Sequence, residues 1–179
     1  MAREHSYRAS LLRLRALLRD ALLAAILVFG KELLAFLPNV EIVSMLIMAY
    51  TVVYRLRALI PIYLFVLLEA VIYPFPPTVV MYLYVWAILF LVCLLLPRRV
   101  LPAPVYMAVG GLFGLAFGTL CAPSQAAFFH LSPAGTLAWI AAGFPMDVTH
   151  AVGNFAIGCL TPVVIRLLQR LEIPAARCC

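Results

Sequence analysis

The chain has 179 residues, 66% of them hydrophobic and 11% charged, with a net charge of +6. Its mean hydropathy is +1.11. Soluble domains average about 45–50% apolar and about 25% charged, and a domain of this size leaves too much surface in water to hide such a composition. A soluble enzyme and a disordered chain are both excluded, which leaves a single polytopic membrane domain over residues 1–179.

Residues 1–19 carry Arg3, Arg8, Arg13, Arg15 and Arg19. They read as a cytoplasmic N-terminal segment, either plain or an amphipathic surface helix. A cleavable signal peptide is not expected, because the apolar stretch that follows is long and lacks a clear cleavage site. Apolar segments then recur at about 20–37, 40–54, 58–73, 78–96, 105–122 and 146–165. A span needs about 20 residues, so the second and third cross by extending into their flanking turns or by local thinning of the bilayer. Pro38-Asn39 ends the first segment, because proline disfavours helix in the residue before it. Arg55 and Arg57 mark the next water boundary, the prolines 74, 76 and 77 the one after, and Pro97-Arg98-Arg99 the fourth.

Topology follows from the preference of Lys and Arg for the cytoplasmic side. Six spans with both termini inside put 12 of the 13 Lys and Arg residues inside, leaving only Lys31 in a helix. The stretch 123–145 contains Pro123, Ser132 and Pro133. If it crossed, the C-terminal arginines would move outside. It therefore reads as a long external loop with a short interfacial or re-entrant helix. The fold expected is all-α: a segment over 1–19, a six-helix bundle over 20–171 and a tail over 172–179. Cys178 and Cys179 end that tail, either lipidated or unstructured. Cys93, Cys121 and Cys159 read as small buried hydrophobes.

The acids divide by side. Glu4, Asp20 and Glu172 belong to the cytoplasmic face, whereas Glu32, Glu41, Glu69 and Asp147 fall in the outer half. With Lys31 the outer half carries −3 and the inner side +9. Ionisable groups in a membrane are costly unless paired or hydrated, so acids gathered at one level point to a polar cavity open to the outside. On the last segment Asp147, His150, Asn154 and Gly158 share one face. That face either contacts a ligand or locks helices together. Asn39 and Glu41 stand at the outer start of the second segment, where Glu41 either binds or simply complements the helix dipole. Glu69 and Tyr73 share a face of the third segment, and Tyr82 and Trp86 a face of the fourth. The aromatics are either binding-site walls or an interfacial belt with core packing. Lys31 and Glu32 are adjacent and should not face each other, so each needs its own partner, for Lys31 an acid on another helix. A divalent-metal site from Asp147, His150, Glu41 and Glu69 is chemically conceivable, but no His-rich or paired-Cys signature accompanies it. Neither a nucleophile elbow nor a zinc-protease motif occurs. Ala21 and Ala25, and likewise Gly110, Gly114 and Gly118, are spaced for close helix contact.

These residues resemble the substrate-binding S component of energy-coupling-factor (ECF) transporters. The likeness rests on six apolar spans, Ala21-Leu-Leu-Ala-Ala25, Pro38-Asn39-Val-Glu41-Ile-Val and Gly143-Phe-Pro-Met-Asp147-Val-Thr-His150-Ala-Val-Gly-Asn154. It implies a bacterial cytoplasmic-membrane protein that is not an enzyme and binds a vitamin or related micronutrient from outside. The residues read above as candidate binding groups, Asn39, Glu41, Glu69, Tyr73, Tyr82, Trp86, Asp147, His150 and Asn154, would then form the substrate site. Delivery inward would need a membrane coupling subunit, docked on Ala21 and Ala25, and two ATPase subunits. This chain has no ATP-binding loop and no cofactor of its own, so the partners use the ATP. Two other readings compete: a scaffolding membrane protein of MreD type, which needs no outer polar cavity, and a metal-ion transport subunit or small-ion channel, which needs polar residues continuing to the inner side.

Overall fold

A computed structural model describes residues 2–37 and 40–176. Asn39, Arg177, Cys178 and Cys179 lie outside the described residues. All regular structure among the described residues is helical: α1 (Ala2–Leu33), α2 (Val43–Tyr54), a 3-10 turn (Arg55–Ala58), α3 (Leu59–Ile72), α4 (Pro76–Leu94), α5 (Ala103–Phe129), α6 (Pro133–Gly158) and α7 (Thr161–Ala176). Two helices, α4 and α5, are each long and apolar enough to cross a membrane; the bent pair α6–α7 makes a third if it counts as one span.

Helix α2 sits at the centre. Val43 to Val52 are all buried, as expected for a helix that is apolar on every side. Ile47, Met48, Phe65, Val85, Leu89 and Ile165 pack in this core, each essentially without solvent exposure. The outward faces carry Leu22, Phe29, Leu67, Val71, Leu91, Leu112, Val152 and Val163, all exposed. A girdle of that kind suits lipid rather than water.

The helix ends have local causes. Arg55 takes a left-handed backbone, φ 55°, which is unfavourable for a side-chain-bearing residue. Its guanidinium compensates by donating to the carbonyls of Leu94 and Leu96, the unpaired end of α4. Between α6 and α7 the axis bends by 50°. Pro162 supplies no amide there to continue the ladder.

Cys159 is exposed, unlike the buried Cys93 and Cys121, and three further expectations need correction. The segment 123–145 is no loop: α5 continues through Pro123 to Phe129, and α6 starts at Pro133 and runs through Pro145. His130, left-handed at φ 51°, ends α5. Ser132 Oγ then accepts the Gly135 amide at 3.1 Å and starts α6, with Pro133 in the first turn where its missing N–H costs nothing. Ser132-Pro133 is a helix start, not a loop mark. At 27 residues α5 is about 40 Å long. The α5–α6 hairpin therefore extends past α4, whose Pro77 carbonyl accepts Ser124 Oγ at 2.7 Å. Second, residues 2–19 form no separate element, because α1 runs unbroken to Leu33. Third, Lys31 and Glu32 do meet, Nζ to Oε1 at 3.0 Å. They stand in the last turn of α1, where long side chains can bend together beyond the helix end.

The glycine stripe of α5 explains the hairpin. A Cβ on Gly118 would fall on the Asp147 carboxylate, one on Gly114 would stand 2.8 Å from the backbone of His150 and Ala151, and one on Gly110 would stand 3.0 Å from the Asn154 carbonyl. Each glycine faces one member of the polar stripe on α6. The two stripes share a rise of about one turn per residue, so they mate in register along the antiparallel pair.

Candidate functional site

The polar groups of α2, α3 and α6 converge at one end of the bundle. Glu41 lies just before α2. Its carboxylate accepts the Ser44 amide at 3.0 Å and the Ser44 hydroxyl at 2.5 Å. It thereby satisfies orphan donors of the first turn and complements the helix dipole. The same carboxylate reaches His150 Nε2 at 3.2 Å. Asn154, one turn further along α6, donates to Ser44 Oγ at 3.2 Å. Glu41, Ser44, His150 and Asn154 thus tie the start of α2 to the face of α6. Asp147 stands behind them and accepts the Gly118 amide at 2.9 Å.

A second cluster adjoins the first. Lys31 Nζ lies 2.5 Å from Glu69 Oε2 and 3.0 Å from Glu32 Oε1. Tyr73 donates its hydroxyl to Glu32 at 2.8 Å, and its ring centroid lies 4.3 Å from the Lys31 ammonium. Lys31 therefore finds its acid on α3. Glu32 turns toward Tyr73, whereas Ala21 and Ala25 lie exposed on the surface of α1.

Two cavities open here. One, of about 200 Å³, is lined by Glu41, Tyr82, Trp86, Phe117 and His150, together with Leu34, Leu37 and Val40. The other, of about 250 Å³, is lined by Glu69, Tyr73, Phe75, Thr78 and Val79. Lys31 and Tyr82 belong to both walls. The aromatic wall is continuous: Tyr82 to Trp86 at 5.4 Å, Trp86 to Phe117 at 5.9 Å, and Phe117 to the His150 ring at 4.6 Å. These are favourable edge-on and tilted separations.

Four polar side chains at this end are fully packed but incompletely paired. Glu69 Oε1, Trp86 Nε1, His150 Nδ1 and Asn154 Oδ1 have no hydrogen-bond partner among the described residues. A buried polar atom left unpaired costs about 1–3 kcal/mol, and such atoms mark the place where a guest can bond. Three of the four belong to residues that line the cavities.

The structure thus places Glu41, Tyr82, Trp86 and His150 around the first cavity and Glu69, Tyr73 and Tyr82 around the second. Asp147 and Asn154 pack behind the wall rather than lining either cavity. Asn39 falls outside the described residues. Sequence reasoning missed Phe117, whose apolar character hid it in a long helix, and undervalued Lys31. Among the described residues no three of His, Cys, Asp and Glu gather as a metal-holding group. At the opposite end, Arg15, Arg19 and Arg57 line a cleft beside Glu172. Between the two ends the core is apolar at Ile47, Leu89 and Ile165.

Comparison with known proteins returns nothing: no family model, no curated protein and no solved structure matches this chain.

Proposed function

We propose that this chain is the substrate-binding subunit of an ECF-type importer. It lies in a bacterial cytoplasmic membrane with six spans and both termini inside, so that the acidic end faces out. It captures a vitamin or related micronutrient there. A coupling subunit and two ATPase subunits then drive delivery inward.

The observation that carries this reading is the pair of adjoining cavities at the acidic end, walled by Glu41, Glu69, Tyr82, Trp86 and His150. Buried, mostly apolar pockets with a few convergent polar groups are what small-molecule recognition needs. The apolar core beneath them supports a binding subunit over a channel, since a conduit needs polar groups through its whole length. A scaffolding role gives no reason to keep unpaired polar atoms at the cavity walls. The open Ala21–Ala25 face of α1 supports docking of a coupling helix, because small residues permit close approach.

The test is co-purification. With a coupling subunit and its ATPases co-expressed, the wild-type chain is expected to bring down the complex, and Ala25→Trp to lose it while retaining its own fold. Equal recovery with both would remove α1 as the docking face. No recovery with any coupling module would sink the importer reading.

A further inference from the structure

Resting on the reading of the acidic end as a ligand site, the charge arrangement narrows the class of ligand. Two carboxylates, Glu41 and Glu69, line the two cavities, and a third, Glu32, pairs with the one ammonium there, Lys31. Even with His150 counted as protonated, the carboxylates stay in excess. Charge uncompensated in a membrane is expensive, and a neutral or anionic guest would leave that excess or enlarge it. The Lys31 ammonium itself shows how a cation is held here: between Glu69 and Glu32, over the Tyr73 ring at 4.3 Å. Carboxylates joined to an aromatic face make a receptor for organic cations. Glu69, only 4% exposed, still keeps Oε1 unpartnered. The neighbouring cavity repeats the pattern with Glu41 beside the Tyr82–Trp86–Phe117 wall.

We infer that the ligand is a compact organic cation, an aromatic ring carrying a protonated amine or a fixed positive charge. Its ring lies along Tyr82, Trp86 and Phe117, and its charge turns toward Glu41 and Glu69. Lys31 competes with it as a built-in cation: it holds the carboxylates together in the free protein and sets a ceiling on affinity.

The experiment uses three probes of one size and different charge: benzylamine, benzyl alcohol and benzoate. Each is titrated calorimetrically into the full chain in nanodiscs, as wild type, Lys31→Met, Lys31→Arg and Glu69→Gln. Benzylamine is expected to bind at least tenfold more tightly than benzyl alcohol, with benzoate weakest. Lys31→Met should tighten benzylamine about tenfold, Lys31→Arg, which keeps the competing charge, should give no such tightening, and Glu69→Gln should weaken it. A thermal melt of each variant verifies folding, and Lys31→Arg with Glu69→Gln decides the matter if Lys31→Met does not fold. Benzoate binding best, and lost in Lys31→Met, would overturn the cation assignment and leave the cavity standing as a ligand site. Equal binding of all three would overturn it too, by showing recognition through shape alone. Silence from all three in folded wild-type protein would overturn both this inference and the ligand-site reading beneath it.

Discussion

Gly114→Ala is the sharpest probe of the packing that builds the site. Its new methyl would stand 2.8 Å from the Ala151 nitrogen and from the carbonyl carbon and oxygen of His150. Carbon atoms pack at about 3.5–4.0 Å, so α5 and α6 would have to part by most of an ångström. Backbone cannot swing aside as a flexible side chain does, and such overpacking costs about 1–3 kcal/mol. Alanine also gains helix propensity over glycine, about 1 kcal/mol, which confuses any single measurement. Gly143→Ala removes that ambiguity. It lies in α6, and a methyl there would meet nothing within 4 Å, so it carries the propensity gain alone. The two variants should therefore differ by about 1–3 kcal/mol, with Gly114→Ala the less stable. At about 2–4 °C per kcal/mol for a chain of this length, thermal unfolding in detergent resolves the gap. Equal midpoints, or Gly114→Ala the more stable, would refute the mating of the glycine stripe with the polar stripe.

Other outcomes follow from the same geometry. Glu41→Gln loses a charged acceptor of Ser44 and His150, worth about 1.5–3 kcal/mol, and should weaken ligand binding about tenfold or more by calorimetry while the fold persists. Asp147→Ala removes the acceptor of the Gly118 amide. It should lower the melting temperature yet weaken binding less than Glu41→Gln, and the reverse order would move the site onto the Asp147 face. Arg55→Gly, which relieves the left-handed strain, should be about 1 kcal/mol more stable to unfolding than Arg55→Ala. Both lack the guanidinium bonds to α4, so an equal pair would show that the backbone at Arg55 is unstrained.

The helical class and the hydrophobic segments were legible because they rest on composition and on runs of apolar residues. The polar stripe of α6 was legible too: three and four residues apart, Asp147, His150 and Asn154 all prove buried. What opposes them was not, since spacing places glycines on a face without saying which helix they meet. Pro123 misled for a physical reason. Within a tight helical hairpin a lost N–H is tolerated when a neighbouring helix supports the backbone, so proline is weaker punctuation here than in water. The cavity needed three-dimensional contacts: Phe117 reads as one more apolar residue until Trp86 and His150 are beside it. Lys31 shows the other limit. Its adjacency to Glu32 argued against a pair, and only the end of α1 at Leu33 lets the two side chains meet Glu69 and Tyr73 together.

The central claim is that the acidic end holds a small molecule. Its most direct test is to extract the purified wild-type chain and Glu41→Gln side by side and compare the extracts by mass spectrometry. A cationic compound is expected near one equivalent in the wild type and depleted in the variant. Indistinguishable extracts, with both proteins folded, would contradict the claim.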